Sequence, residues 1–200
     1  MADKADRLDL LINNAGIGSG GAGALRQESA DGHELRFAVN YLACFLLTRV
    51  LLPSLRNNAR IVNVASAGQQ AIDFDDVMLT SGYSGSRAYC QSKLAQILFT
   101  VDLAEELDGA GVTANALHPA TYMNTTMVRQ AGVTPWSTVE QGADAILNLA
   151  TAPALAGRSG LYFDGVREAH AQAQAYDRDA RARLRTLSFA LTGLVDPARR

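Results

Sequence analysis

Cysteine is scarce in this 200-residue chain. The two that occur, Cys44 and Cys90, both fall in apolar helical patterns. They read as small buried side chains of a reducing compartment, not as a disulfide or a metal pair. The three histidines, His33, His118 and His170, lack metal-ligand spacing, so no metal site is expected. A basic excess is also missing. Charged residues make up 19% and the net charge is −2, which argues against a nucleic-acid partner. No long apolar run is uninterrupted: the longest, Tyr41 to Leu55, is broken by Arg49 and Pro53 and is too short to span a bilayer. Met1 to Arg7 is polar and has no signal-peptide core. These absences set the expectation of a cytoplasmic protein without a membrane span.

Apolar residues reach 48%, and the length suits one domain, 1–200, burying roughly 70% of its unfolded surface. Leu8-Asp9-Leu10-Leu11-Ile12 is apolar on both faces, as a buried parallel strand is, and runs into Asn13-Asn14-Ala15-Gly16. Gly18-Ser19-Gly20-Gly21-Ala22-Gly23 satisfies G-x-G-x-x-G, but it follows the strand's end and has no helix start or ribose-binding acid behind it. It reads as a flexible loop, not a phosphate cradle.

Leu35 to Leu55 carries helical periodicity until Pro53. Arg60 to Ser66 is a second buried strand, and Ala67 to Ala88 is irregular. A helix from Tyr89 to about Asp108 ends at Gly109-Ala110-Gly111. Val112 to Leu117 is a third strand and Thr138 to Ala150 another helix. Gly160 to Asp164 reads as a short last strand, and Arg167 to Leu187 as a terminal helix whose charges form a wet face. Strand and helix alternating at this spacing predict an α/β, doubly wound parallel sheet, with ligands at the carboxyl ends of the strands.

Tyr89 and Lys93, four apart, lie on the same face of their helix. A free phenol titrates near ~10, and an ammonium held beside it brings that value down toward the working range of an acid or base. Asn13-Asn14, Ser66 and the loop His118 to Met127 belong to the same edge of the sheet. By spacing alone the pair is a device for proton transfer, or a half-buried ring beside a solvated charge.

With these residues in place the sequence resembles the short-chain dehydrogenase/reductase family, in its retinol-dehydrogenase-like branch. Asn13-Asn14-Ala15-Gly16 matches the family's NNAG, and Asn40 and Ser66 match its polar positions. Tyr89 and Lys93 match Y-x-x-x-K, and His118-Pro119 matches the turn after its sixth strand. The branch is indicated by Ala88 to Ala95 and the long loop before them.

The resemblance implies an NAD(P)-dependent oxidoreductase interconverting a small-molecule alcohol and a carbonyl, with a Rossmann-like fold and NAD or NADP as cofactor. It makes Tyr89 the general acid/base and Lys93 the group that lowers its pKa and bonds the nicotinamide ribose. Ser66 polarises the substrate oxygen, and Asn40 fixes a water that links Lys93 to solvent. Asn14, Ala15, Gly16, Tyr89, Lys93, Pro119 and Thr125 become cofactor-binding residues. Ordinary alternatives stand beside these: Ser66 as a strand-end cap, Asn40 as a helix-interior polar group, Thr125 as a turn residue.

Against the family pattern the chain begins at the fourth strand, which implies that something on the order of 70 residues, the opening βαβ steps with T-G-x-x-x-G-x-G, is missing. The first strand here would then lie at an open edge. The alternative function is an inactive remnant that binds a partner, or forms a homo-oligomer, through the helices Tyr41 to Leu55 and Tyr89 to Asp108.

Overall fold

The computed structural model describes residues 7–21 and 23–197; the polar segment Met1 to Asp6 lies outside them. Five strands form one sheet in the order β1-β2-β3-β4-β5. They are β1 (Leu8–Asn13), β2 (Leu55–Val64), β3 (Val112–His118), β4 (Tyr162–Asp164) and β5 (Arg167–Ala169). The first four are parallel and β5 returns antiparallel to β4. Ile12 pairs with Val62, Asn63 with Ala116, and Leu117 with Phe163, so the strands' carboxyl ends reach one edge together. β2 begins five residues earlier than its apolar pattern predicts.

Helices cover both faces. On one lie α1 (Ala43–Leu51), α2 (Gly85–Glu106) and α5 (Arg178–Thr192), joined by Tyr41, Phe45, Leu98, Phe99, Leu184 and Phe189. On the other, α4 (Val139–Thr151) closes over Val62, Val64, Leu117 and Phe163. The doubly wound architecture is therefore present. Thr138 starts α4 with a capping box: its hydroxyl accepts from the Gln141 amide while the Gln141 side chain accepts from Thr138 N.

Three expectations need correction. The helix assigned to begin at Tyr89 begins at Gly85, capped by Ser84, whose hydroxyl accepts from Arg87 N. Tyr89 therefore sits in the second turn, where the backbone is already fixed.

The segment Arg167 to Leu187 is not one wet helix. It divides into β5, a short turn at Ala173–Tyr176, and α5, which starts at an Asp177 cap and ends at Gly193 with φ 67°. Two of the α5 arginines are spent inward. Arg181 is 4% exposed and pairs with Glu105, while Arg185 binds Asp102, Glu106 and Asp196. Arg49 from α1 lies over the rings of Phe45, Phe99 and Phe189. α5 thus covers the helix face that the remnant hypothesis reserved for dimerisation. What stays exposed on α1 is Leu46, Leu47 and Val50.

The segment 37–54 is the third. It is a π turn (Phe37–Leu42), α1 and a 3-10 turn (Leu52–Ser54) in succession. Despite Arg49 and Pro53 it is long and apolar enough to cross a membrane by length and composition, and half of it is buried in this fold.

β1 has no partner on its outer side among the described residues, and Leu10 and Ile12 are exposed on one of its faces.

Candidate active site

The carboxyl end of β1 delivers Asn13 inward and Asn14 outward, as strand alternation requires. Asn13 is buried and donates to Thr48 Oγ1 (3.0 Å) and Asn63 Oδ1 (2.8 Å), which fixes the strand end to α1 and β2. Asn14 and Ala15 are exposed along the crevice. Gly16 follows at a crowded point. A side chain there would meet Asn40 Oδ1 at 3.2 Å and Lys93 Nζ at 3.4 Å. Glycine is what leaves the space beside the ammonium open.

Asn40 lies in the π turn, fully buried. Its carboxamide holds Ile17 by both main-chain groups, Oδ1 accepting from Ile17 N (2.7 Å) and Nδ2 donating to Ile17 O (3.1 Å). Nδ2 also donates to Ser92 Oγ (2.9 Å), which in turn donates to Tyr89 O (2.7 Å). The side chain thus connects the loop after β1 to the helix carrying Tyr89.

The start of the glycine-rich loop beyond Ile17, at Gly18 and Ser19, is held by one side chain. Buried Arg36 donates from Nε to Gly18 O (2.9 Å) and from Nη2 to Ser19 O (2.8 Å). Its Nη1 donates to Tyr83 Oη (2.6 Å) and lies 3.5 Å from Glu34 Oε1. Tyr83 donates to the same carboxylate at 3.1 Å, and Glu34 Oε2 accepts from Phe37 N at 2.8 Å. These loop carbonyls face a cation, the reverse of the amide-lined concavity that binds phosphate. A Cβ on Gly85 would overlap the Ser19 carbonyl oxygen, so the loop rests directly on the first turn of α2. Met127 packs against Gly18 from the loop after β3.

Ser66 follows β2 and is buried; its carbonyl accepts from Gln69 Nε2 (2.9 Å) and Tyr162 Oη (3.1 Å). Its hydroxyl accepts from Gly68 N (3.0 Å) and acts on the Tyr89 phenol to lower its pKa. A side chain on Gly68 would touch Cys90 Sγ, Ser66 Oγ and Tyr89 together, so the three converge on one point.

Burial raises the Tyr89 pKa above its ordinary value, and the Ser66 side chain offsets part of that. The expectation that Lys93 lowers it is not met in this arrangement. Lys93, 4% exposed, gives its ammonium to Val64 O (2.8 Å) and Gln96 Oε1 (2.9 Å). Desolvation pushes Lys93 itself down to about 8. Four-residue spacing puts both residues on one face, but a long flexible stem takes its charge to the nearest acceptors.

Pro119 is buried at the end of β3. His118 beside it bonds Thr121 Oγ1 (3.0 Å), and burial lowers its pKa. Thr125 caps the short helix α3 (Thr126–Gln130), its hydroxyl accepting from Val128 N. Its side chain serves the turn, in line with the ordinary alternative. Among the described residues no cluster of His, Cys, Asp or Glu could hold a metal. Sequence reasoning missed Arg36, Glu34, Tyr83 and Gln96. Glu34 and Arg36 carried one signal, a charge pair on the threshold of an apolar helix.

The sequence profile of the short chain dehydrogenases matches residues 1–135. Human "Retinol dehydrogenase 13" is 39% identical over 99% of the chain, and human "Retinol dehydrogenase 14" is 36% identical over 98%. The chain spans 64% and 62% of the length of these two relatives. Among solved structures, a putative uncharacterized protein from Mycobacterium Paratuberculosis superposes with a TM-score of 0.79 at 31% identity. That match covers 98% of this chain and 71% of that one. The NADPH-bound carbonyl reductase from chicken fatty liver gives 0.61 at 25% identity, covering 85% and 68%. The chain belongs to the short-chain dehydrogenase family, in its retinol-dehydrogenase-like branch.

Proposed function

We propose that this chain acts in the NAD(P)-dependent interconversion of an alcohol and a carbonyl, with Tyr89 as general acid/base. The observation that carries the reading is the Ser66 hydroxyl and the Tyr89 ring brought together around Gly68, at the carboxyl ends of β2 and β3. A substrate oxygen placed there meets two O–H groups, one to hold it and one to exchange a proton with it. With burial keeping the phenol protonated, Tyr89 is ready to donate to a carbonyl oxygen. Alcohol oxidation calls for the phenolate, so that direction gains as pH rises.

The residues fit the nicotinamide end of such a cofactor, which when bound supplies or accepts the hydride. Gly16 keeps the space beside Lys93 Nζ free, and Asn14 and Ala15 border it. Lys93 would bond the ribose, and Pro119 and Thr125 would contact the cofactor from the loop after β3. Asn40 positions the Ile17 loop that closes this end. Exposed Tyr122, Met127 and Trp136 beside the crevice favour an apolar substrate, in keeping with relatives named retinol dehydrogenases. A cytoplasmic location is part of the same proposal.

The test is to offer the protein NADH and NADPH with a panel of apolar aldehydes and ketones. Turnover should follow nicotinamide oxidation and fall by about 10²- to 10⁴-fold in Tyr89→Phe. Absence of both turnover and cofactor binding by calorimetry would end this reading. A second reading, a module that pairs with another chain, draws on the edge of β1, unpartnered among the described residues, and on exposed Leu10 and Ile12. Tight NAD(P)H binding would exclude it.

A further inference from the structure

Behind the crevice a line of buried polar side chains runs between the sheet and α2. Asn13 donates to Asn63 Oδ1, Asn63 Nδ2 donates to Thr100 Oγ1 (2.8 Å), and Thr100 Oγ1 donates to Gln96 O (2.7 Å). At the end of this line stands the Gln96 side chain, fully buried, with Oε1 accepting from Lys93 Nζ at 2.9 Å. Its Nε2 is buried too and has no hydrogen bond of acceptable geometry; the Cys44 thiol is the group it faces. Packing alone does not account for such a residue. A buried primary amide with an unmet donor is costlier than an apolar side chain of similar size. What the amide adds is its oxygen, and that oxygen is on Lys93.

We infer that Gln96 is the positioning residue for Lys93: together with the Val64 carbonyl it takes two of the three ammonium N–H groups and leaves the third to the open space beside Gly16. The geometry supports this from both sides. Gly16 and Asn40 Oδ1 bound that space, and Nζ would lie 3.4 Å from any side chain on Gly16. Without Gln96 the ammonium has one fixed acceptor and is free to rotate about it, so the remaining N–H loses its direction.

The groups facing Lys93 are few. From α1 comes Cys44, kept as a thiol because burial pushes it up to about 12. From the π turn comes Asn40, from the loop after β1 Gly16, and from β2 the Val64 carbonyl, all uncharged. On α2 itself Tyr89 is one turn away and held protonated by burial. Among the described residues no carboxylate acts on it, so the charged form of Lys93 depends on neutral oxygens. Removing one of two such oxygens disfavours that form.

The inference rests on the proposed role of Lys93 for its meaning, but its test needs neither cofactor nor turnover. The chain has two lysines, Lys4 and Lys93, so Lys4→Arg leaves one lysine. In that background, protein grown with ¹³C-lysine gives one ε-methylene signal whose shift reports the Lys93 proton directly. The parent should titrate near 8. Gln96→Leu should lower the midpoint, and Gln96→Glu should raise it by about one pH unit or more. Gln91→Leu, on the same helix with its Nε2 on Ala71 O, should leave it where it was. A merely structural role for Gln96 would alter stability without moving the two midpoints in opposite directions. An unmoved or lowered midpoint in Gln96→Glu overturns the inference even if Gln96→Leu does not fold. Shifted midpoints in a protein that never binds cofactor would refute the proposed function and leave the positioning intact. Turnover with unmoved midpoints would do the reverse.

Discussion

Replacing Lys93 by methionine should make the protein's stability respond differently to pH, with a sign and size fixed by burial. Lys93 is 4% exposed, and its folded-state pKa is pushed down to about 8 from an ordinary 10.5. Below the folded value both states carry the proton, and the native state bears the cost of a desolvated ammonium. As pH climbs through about 8 the folded chain releases the proton while the unfolded chain keeps it. Stability contributed by this group therefore rises with pH, up to the unfolded value. One pH unit is worth about 1.4 kcal/mol, so between about pH 7 and about pH 9 parent minus Lys93→Met should gain about 1.3 kcal/mol. The parent's own curve is not enough. Cys44, Tyr89 and Tyr162 are all pushed up by burial, and such acids lose stability as pH passes their unfolded values. Those contributions are shared by both proteins and cancel in the difference. Urea unfolding followed by circular dichroism at three pH values gives it directly. A difference that stays flat, or falls with pH, would mean that Lys93 is solvated or paired in the folded chain, and the burial argument fails with it.

Arg36→Met should cost about 3–5 kcal/mol, because it leaves Glu34 buried without its guanidinium and two loop carbonyls without donors. Denaturant unfolding reads the loss, and faster amide exchange over residues 16–20 should accompany it; a cost near zero would mean that the loop is a flexible connector. Gly85→Ala should destabilise by about 1–3 kcal/mol through overlap with the Ser19 carbonyl, the reverse of the gain alanine brings inside an ordinary helix. A thermal melt at or above the parent's would show that the loop does not rest on α2. Phe189→Ala should cost about 3–5 kcal/mol, since its ring packs edge-on to Phe45 at 5.1 Å and carries Arg49 on its face. A negligible loss would restore α5 to a wet helix.

Which parts were legible from sequence follows from what each depends on. β1, β3 and α4 depend on local pattern, and the apolar runs at 8–12 and 112–117 and the span after Thr138 match them closely. α2 was read four residues short because its start depends on a serine cap between glycines in a stretch that looks irregular. α5 was misjudged for a different reason. Sixteen arginines in the chain suggest solvated charge, but the acids that take Arg181 and Arg185 inward sit on α2, about 80 residues earlier. Spacing along a sequence carries no information about such partners. The candidate site shows the same division. Tyr89 and Ser66 were singled out by position and Asn40 by resemblance, but the destination of the Lys93 ammonium was not legible, because Val64 O and Gln96 Oε1 are acceptors that only the packed chain supplies.

The buried charges also separate by kind, and the separation bears on what Lys93 is for. Arg36 lies against Glu34, and Arg185 is enclosed by Asp102, Glu106 and Asp196. Each fastens one element to another, the loop after β1 to the start of the π turn and α5 to α2. A paired charge of this sort is explained by the docking it specifies. Lys93 is buried as deeply, yet it meets a carbonyl, an amide oxygen and a protonated thiol, and among the causes acting on its pKa no carboxylate figures. Neutral acceptors leave most of the desolvation cost standing, so the fold is less stable for having it there. Methionine or leucine would fill the space without that cost. A charge kept where packing disfavours it, one helical turn from a phenol and beside a glycine that keeps the space clear, is what a functional group looks like and a structural one does not.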